Sequence, residues 1–155
     1  MAMIVHRESR LFPYPPAQIF DIVADVQRYP EFLPWCVGAR ITARERDSFD
    51  AEVLVGFKMI RERYTSRVKL ERPDRIEVIY TSGPFRHLAN VWRFEPVPEG
   101  CAVDFYIEFE FRSAILQRLI GSLFHEAVRK MVAAFQSRAR QLYGEPQALP
   151  DGKPA

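Results

Sequence analysis

The sequence predicts an α+β domain in which a curved antiparallel sheet of seven strands wraps around one long C-terminal helix. Three observations predict it. Between residues 49 and 111, apolar and polar side chains alternate in short runs broken by Gly, Pro and Asp, the pattern of strands covered on one face and wet on the other. From Ser113 the period turns helical and stays so to about Tyr143. The chain has 155 residues, which suits one domain able to bury roughly 70% of its unfolded surface.

Met3 to Phe12 reads as the first strand, closed by Pro13. Pro15 and Pro16 open a helix, since proline is tolerated in a first turn. Ile19, Val23 and Val26 recur there at helical spacing, beside Phe20 and Ala24. Tyr29-Pro30 stops it, because a residue before proline is pushed out of the helical region. Val37 to Glu45 is the second strand. In the third, Phe49, Ala51, Val53, Val55 and Phe57 alternate with Asp50, Glu52 and Leu54. The fourth puts Ile60, Tyr64, Ser66, Val68 and Leu70 on one face, and Arg61, Arg63, Thr65, Arg67 and Lys69 on the other.

After the turn Arg72-Pro73-Asp74, Ile76, Val78 and Tyr80 share one face of the fifth strand. Ser82-Gly83-Pro84 breaks it. The sixth runs from about His87 to Glu95, with Leu88, Asn90, Trp92 and Phe94 on one parity, and Pro96 to Gly100 forms a hairpin connection. The last strand is the cleanest: Val103, Phe105, Ile107, Phe109 and Phe111 against Asp104, Tyr106, Glu108 and Glu110.

In the long helix, Leu116, Leu119, Ile120, Leu123, Phe124, Ala127, Met131, Ala134, Phe135 and Leu142 form an apolar stripe. Ser113 is its N-cap and Gly144 its stop; at 1.5 Å per residue it is about 45 Å long. Residues 1–144 thus form the domain. Glu145 to Ala155, with three prolines and little to bury, is expected to be disordered.

A net charge of +2 gives no argument for nucleic-acid binding, and DNA is not an expected partner. Cys36 and Cys101 make no CxxC pair and no metal spacing; a reduced, intracellular compartment is the simpler reading. Residues 1–11 carry His6, Arg7, Glu8 and Arg10 and no apolar signal region. No apolar run approaches the ~20 residues that span a bilayer. Nucleophile-elbow, P-loop, dinucleotide and H-E-x-x-H patterns are absent. His6, His87 and His125 are scattered, and His125-Glu126 has no second ligand at suitable spacing. Neither a metal, a cofactor nor a catalytic residue is expected.

The inward parity mixes a few polar residues, Glu62, Tyr64, Ser66, Tyr80 and Asn90, into an apolar surface. Singly, each can be satisfied by a neighbour or a buried water. As a set they describe a pocket, which is apolar with a few placed polar groups. Two readings fit the basic face of the fourth strand: contact with phosphates, or cross-strand pairing with Asp50, Glu52 and Glu77. Two also fit Phe32, Leu33 and Trp35, bounded by Pro30 and Pro34. They either staple the core or form a lid over a cavity mouth that touches a membrane.

The segments Y-P-E-F-L-P-W-C from Tyr29, S-G-P-F-R-H-L-A-N-V-W-R-F from Ser82, F-E-F-R-S from Phe109 and L-F-H-E-A-V-R-K-M-V-A-A-F-Q-S-R-A from Leu123 resemble the coenzyme Q-binding protein family. That family belongs to the START-like, polyketide-cyclase-related helix-grip superfamily, and the resemblance runs from about residue 3 to 144. It implies an internal hydrophobic tunnel holding a polyprenylated quinone, ubiquinone, delivered or chaperoned for respiration rather than made. It places the protein in the cytoplasm, peripheral to the inner membrane.

Phe57, Val68, Val78, Trp92, Phe105, Ile107, Leu123 and Phe124 could line such a tunnel. Tyr64, Ser66, Tyr80 and Asn90 can donate to quinone carbonyls. The bacterial ribosome-association toxins share these motifs, so a ribosome-binding regulator is the alternative. A cyclase-like enzyme is a third, for which Glu62 is the one inward carboxylate to serve as acid or base.

Overall fold

The computed structural model describes residues 3–146. Strand β1 (Ile4–Phe12) leads through Pro13 into helix α1 (Pro16–Ala24), with Pro15 as N-cap and Pro16 at the first helical position. α1 stops earlier than proline placement predicts. Asp25 leaves helical geometry and a tighter 3-10 turn, Val26–Glu31, carries Pro30 inside it. The remaining strands are β2 (Cys36–Thr42), β3 (Ser48–Phe57), β4 (Ile60–Glu71), β5 (Arg75–Ser82), β6 (Phe85–Val97) and β7 (Gly100–Phe111). Helix α2 (Ala114–Tyr143) ends the described fold. β2 starts one residue earlier than expected and ends three sooner, and β6 is longer at both ends. The part of the expected disordered tail beyond residue 146 lies outside the described residues.

The sheet is antiparallel throughout, in the order β1-β7-β6-β5-β4-β3-β2. The connection through α1 therefore carries the chain from one edge of the sheet to the other. Val97 pairs with Gly100 across a two-residue turn. Gly100 is irreplaceable there: its φ is +144°, and an added Cβ would sit 2.3 Å from the Phe12 carbonyl oxygen and 2.6 Å from the Tyr14 nitrogen.

The inward parity is as the alternation predicts. Val103, Phe105, Phe109 and Phe111 of β7 are buried, and the Phe109 ring lies 5.2 Å from that of Phe124 on α2. Tyr106 and Glu108 point outward and hydrogen-bond each other, and His87 joins Glu108 at 2.7 Å. On the outer basic face Arg67 pairs with Asp50 at 3.2 Å. Glu52 instead takes Arg40, and Glu77 takes Arg75.

The Ser113 hydroxyl accepts the Leu116 N–H at 3.2 Å, and Gly144, at φ +77°, closes α2 with a bond to the Arg140 carbonyl. Val128, Phe135 and Ala139 form its buried stripe, with Gln117 and Arg138 also buried. Leu119 and Leu142, expected on that stripe, are exposed. At about 100° per residue Leu119 stands about 180° round the helix from Val128. Leu142, although close in angle to Phe135, sits in the last turn, one residue from the end of α2. Among the described residues no helix is long and apolar enough to cross a membrane.

Candidate functional site

The concave face of the sheet and the inner stripe of α2 do not meet everywhere. Between them lies a cavity of about 280 Å³, bordered at one end by Val23 of α1 and Val26 of the 3-10 turn. Phe57, the last residue of β3, Phe85, the first of β6, and Phe111, the last of β7, line it at the other. Among the described residues its wall contains no carboxylate, imidazole, ammonium or guanidinium group.

Most of the side chains expected in the tunnel meet there. Phe57, Tyr64, Ser66, Val68 and Val78 line it from β3, β4 and β5. Asn90, Trp92, Phe105 and Ile107 do so from β6 and β7, and Leu123 and Phe124 from α2. Glu62 and Tyr80 do not. Glu62 stands across from Val55, half-buried and outside the wall. The Tyr80 hydroxyl accepts the Phe85 N–H at 3.1 Å, and its ring meets that of Phe85 edge-on at 5.5 Å. Tyr80 therefore buttresses a lining residue instead of lining the cavity itself.

The polar groups on the wall divide into committed and free. Asn90 donates through Nδ2 to the Tyr106 carbonyl at 2.8 Å and accepts the Trp92 indole N–H at 3.2 Å, so it braces the indole. The Tyr29 hydroxyl donates to the Val23 carbonyl. The hydroxyls of Tyr64 and Ser66 have no hydrogen-bond partner among the described residues. Ser66 is buried, and burial pushes the Tyr64 phenol up to about 12, keeping it a neutral donor. The two stand two residues apart on one face of β4, about 7 Å along the strand. Burial likewise pushes the Cys36 thiol up to about 11, and its sulfur lies 3.5 Å from the Gly38 carbonyl; it is an unreactive thiol. Among the described residues no three His, Cys, Asp or Glu side chains gather as metal ligands.

The three expected lid residues separate. Leu33 is buried and Trp35 half-buried, and both line the cavity. Phe32 faces away from it. Its ring meets Phe135 edge-on at 5.4 Å, with the Arg138 guanidinium 5.0 Å above it. Arg138, itself buried, reaches Glu31 at 2.9 Å and Gln141 at 3.2 Å. The segment is thus pinned to α2, and none of the three side chains is an exposed patch.

Other lining residues were within reach of the sequence patterns: Val53, Ile76 and Leu88 share the inward strand parity, and Ile120 and Met131 the helical stripe. Tyr29 and Cys36 carried no such signal. They lie in a 3-10 turn and at an irregular strand start, where neither period applies.

Residues 12–136 match the polyketide cyclase / dehydrase and lipid transport family. The ribosome association toxin RatA of Rickettsia prowazekii is 38% identical over 90% of this chain and 99% of its own length. The mitochondrial coenzyme Q-binding protein COQ10 homolog B of Xenopus laevis is 36% identical over 92% of this chain. The chain spans 60% of that relative's length. A START superfamily protein from Mycobacterium smegmatis shares the fold, with a TM-score of 0.74 and 18% identity, covering 90% of this chain and 98% of its own.

Proposed function

We propose a carrier function from one premise: the chain belongs to the polyketide cyclase / dehydrase and lipid transport family. In this reading it binds a polyprenylated quinone, ubiquinone, and carries or chaperones it at the inner membrane surface for respiratory electron transport. The observation that carries the reading is an apolar cavity holding two free neutral donors, Tyr64 and Ser66, and no charged group. Quinone oxygens accept hydrogen bonds and are neutral, so they suit donors of this kind. Prenyl carbons suit the rest of the wall, each buried CH₂ contributing ~0.8 kcal/mol. The name of the Xenopus relative supports the choice of quinone. Among the described residues the wall's titratable groups are the phenols of Tyr29 and Tyr64 and the thiol of Cys36. Burial pushes Tyr64 up to about 12 and Cys36 up to about 11, far from the near-neutral values that suit general acid–base work, which favours carriage over cyclase chemistry.

Both tryptophans of the chain, Trp35 and Trp92, line the cavity, and quinones quench indole fluorescence. Titration with a short-tailed ubiquinone analogue should quench most of the emission. Tyr64→Phe combined with Ser66→Ala should weaken binding roughly tenfold, as two neutral hydrogen bonds imply. Unquenched emission at saturating analogue would overturn the reading.

Ribosome association is the second reading, favoured by relatives of that name that match along nearly their whole length. It would use the outer surface, so binding to purified large ribosomal subunits should fall steeply with salt, and filling the cavity should leave it unchanged.

A further inference from the structure

We infer that the protein docks on anionic phospholipid membranes through the β3–β4 hairpin end of the sheet, the end at which Phe57, Phe85 and Phe111 line the cavity. This rests on the carrier reading for its purpose, not for its geometry.

The register brings particular parts of the chain to that end. Phe57 pairs with Ile60 and Phe85 with Phe111. The hairpin turn 58–59, the turn 83–84, the connection 112–113 and the first turns of α2 therefore lie together. Gly83 packs against Tyr64, and an added Cβ there would fall 2.7 Å from the Tyr64 Cβ. Beyond Tyr64, β4 has β3 alone as a strand neighbour, so the hairpin tip stands clear of the sheet.

Two kinds of side chain crowd this end. Met59 at the tip is 95% exposed, Ile115 on α2 73% and Val37 52%. Interleaved with them are Lys58, Arg61, Arg63, Arg112 and Arg118. Among the described residues none of these five pairs with a carboxylate; Arg61 and Arg112 bond only to backbone carbonyls. The carboxylates nearby are Glu110, held by Arg86 at 3.5 Å, and the half-buried Glu62. Toward the opposite end Arg72 pairs with Asp21, Arg75 with Glu71, Arg28 with Asp25 and Arg138 with Glu31, while Arg46, Lys69 and Arg93 have no carboxylate partner among the described residues. What sets the hairpin end apart is the combination of its cations with Met59 and Ile115.

Free cations around protruding apolar side chains complement a surface of phosphate headgroups above acyl chains. A polyanion without an apolar layer would use the cations and leave Met59 idle. The hairpin is also tied to the cavity. The Gly56 N–H donates to the Trp35 carbonyl at 2.9 Å, and Trp35 and Phe57 both line the wall. An added Cβ on Gly56 would meet Val37 at 2.5 Å and the Arg61 guanidinium carbon at 3.1 Å, so Val37 and Arg61 close over that glycine as one patch.

The test is flotation of the ligand-free protein with phosphatidylcholine vesicles, with and without phosphatidylglycerol. The wild type should float with the anionic vesicles and weakly with the neutral ones. Met59→Asp should lower anionic binding roughly tenfold, the equivalent of the ~1.5 kcal/mol that burying a Met side chain brings. Lys58→Glu should lower it at least fivefold, the equivalent of ~1 kcal/mol per cation near the surface. Leu11→Asp, at the opposite end and 52% exposed, should change nothing, and all three should melt as the wild type does. A wild type that stays unbound overturns the docking surface. So does a Met59→Asp protein that floats normally while Lys58→Glu loses binding to vesicles and to large ribosomal subunits alike; that pattern belongs to an RNA-binding face. Quinone quenching of the same proteins is a separate readout: its loss with flotation intact would fail the carrier reading and leave the docking surface standing.

Discussion

Tyr64 and Ser66 set what head group the cavity can hold, because their hydroxyls are the free donors on an otherwise apolar or committed wall. Tyr64 also makes the cavity visible to pH. Its phenol titrates near 10 when exposed and is pushed up to about 12 by burial. A raised folded-state pKa means its contribution to stability is fully present below pH 10 and is lost as pH rises through about 12. The melting temperature of the wild type should therefore fall faster over that window than that of Tyr64→Phe. Parallel slopes would mean that the phenol is hydrated and the cavity wet. Strand parity alone turned Tyr64, Ser66 and Asn90 inward. It could not tell a free donor from a brace, since the Asn90 partners come from β7 and from Trp92 two residues along. Nor could it see that Glu62, on the same parity, falls outside the wall, because it counts faces and not where the sheet ends.

Elements differ in how far their own sequence determines them. β7 was legible throughout, since each of its neighbours repeats its alternation and a slip of one residue would put Tyr106 and Glu108 into the core. The stretch from Val26 to Trp35 was not, since its geometry follows from tertiary anchors: Phe32 on Phe135, and Arg138 on Glu31. α2 is held unevenly, which gives a prediction. Phe135 is buried against Trp92, Tyr29 and Phe32, so Phe135→Ala should cost about 3–5 kcal/mol in denaturant melts. Leu123 is half-buried on the cavity wall and has fewer packed neighbours to abandon, so Leu123→Ala should cost less than about 2 kcal/mol. Equal losses would argue for a solid core. At the β6–β7 turn, Gly100→Ala should cost more than about 2 kcal/mol, because the obstacle there is the backbone of Phe12 and Tyr14.

At the scale of the whole molecule, cavity size limits the ligand. About 280 Å³ is just below the ~300–1,000 Å³ usual for small-molecule sites, room for a ring and the first prenyl units but not for a long tail. Affinity should climb with tail length while each added CH₂ is still buried, at ~0.8 kcal/mol apiece at most, and then level off once the wall is filled. In the docking arrangement inferred above, the remaining tail leaves past Phe57, Phe85 and Phe111, which line the cavity at the end that carries Met59. On a vesicle, that tail could stay in the acyl layer while the ring sits in the protein. The measurement is a series of ubiquinone analogues of increasing tail length, scored by indole quenching in buffer and by ligand-induced thermal stabilisation, which grows as RT ln(1 + [L]/Kd). A plateau after the first few isoprene units is the expected result. Affinity rising unbroken to the longest soluble analogue would mean that α2 swings away from the sheet to enlarge the cavity, and Leu123→Ala would then ease that motion and strengthen binding of the long-tailed analogues.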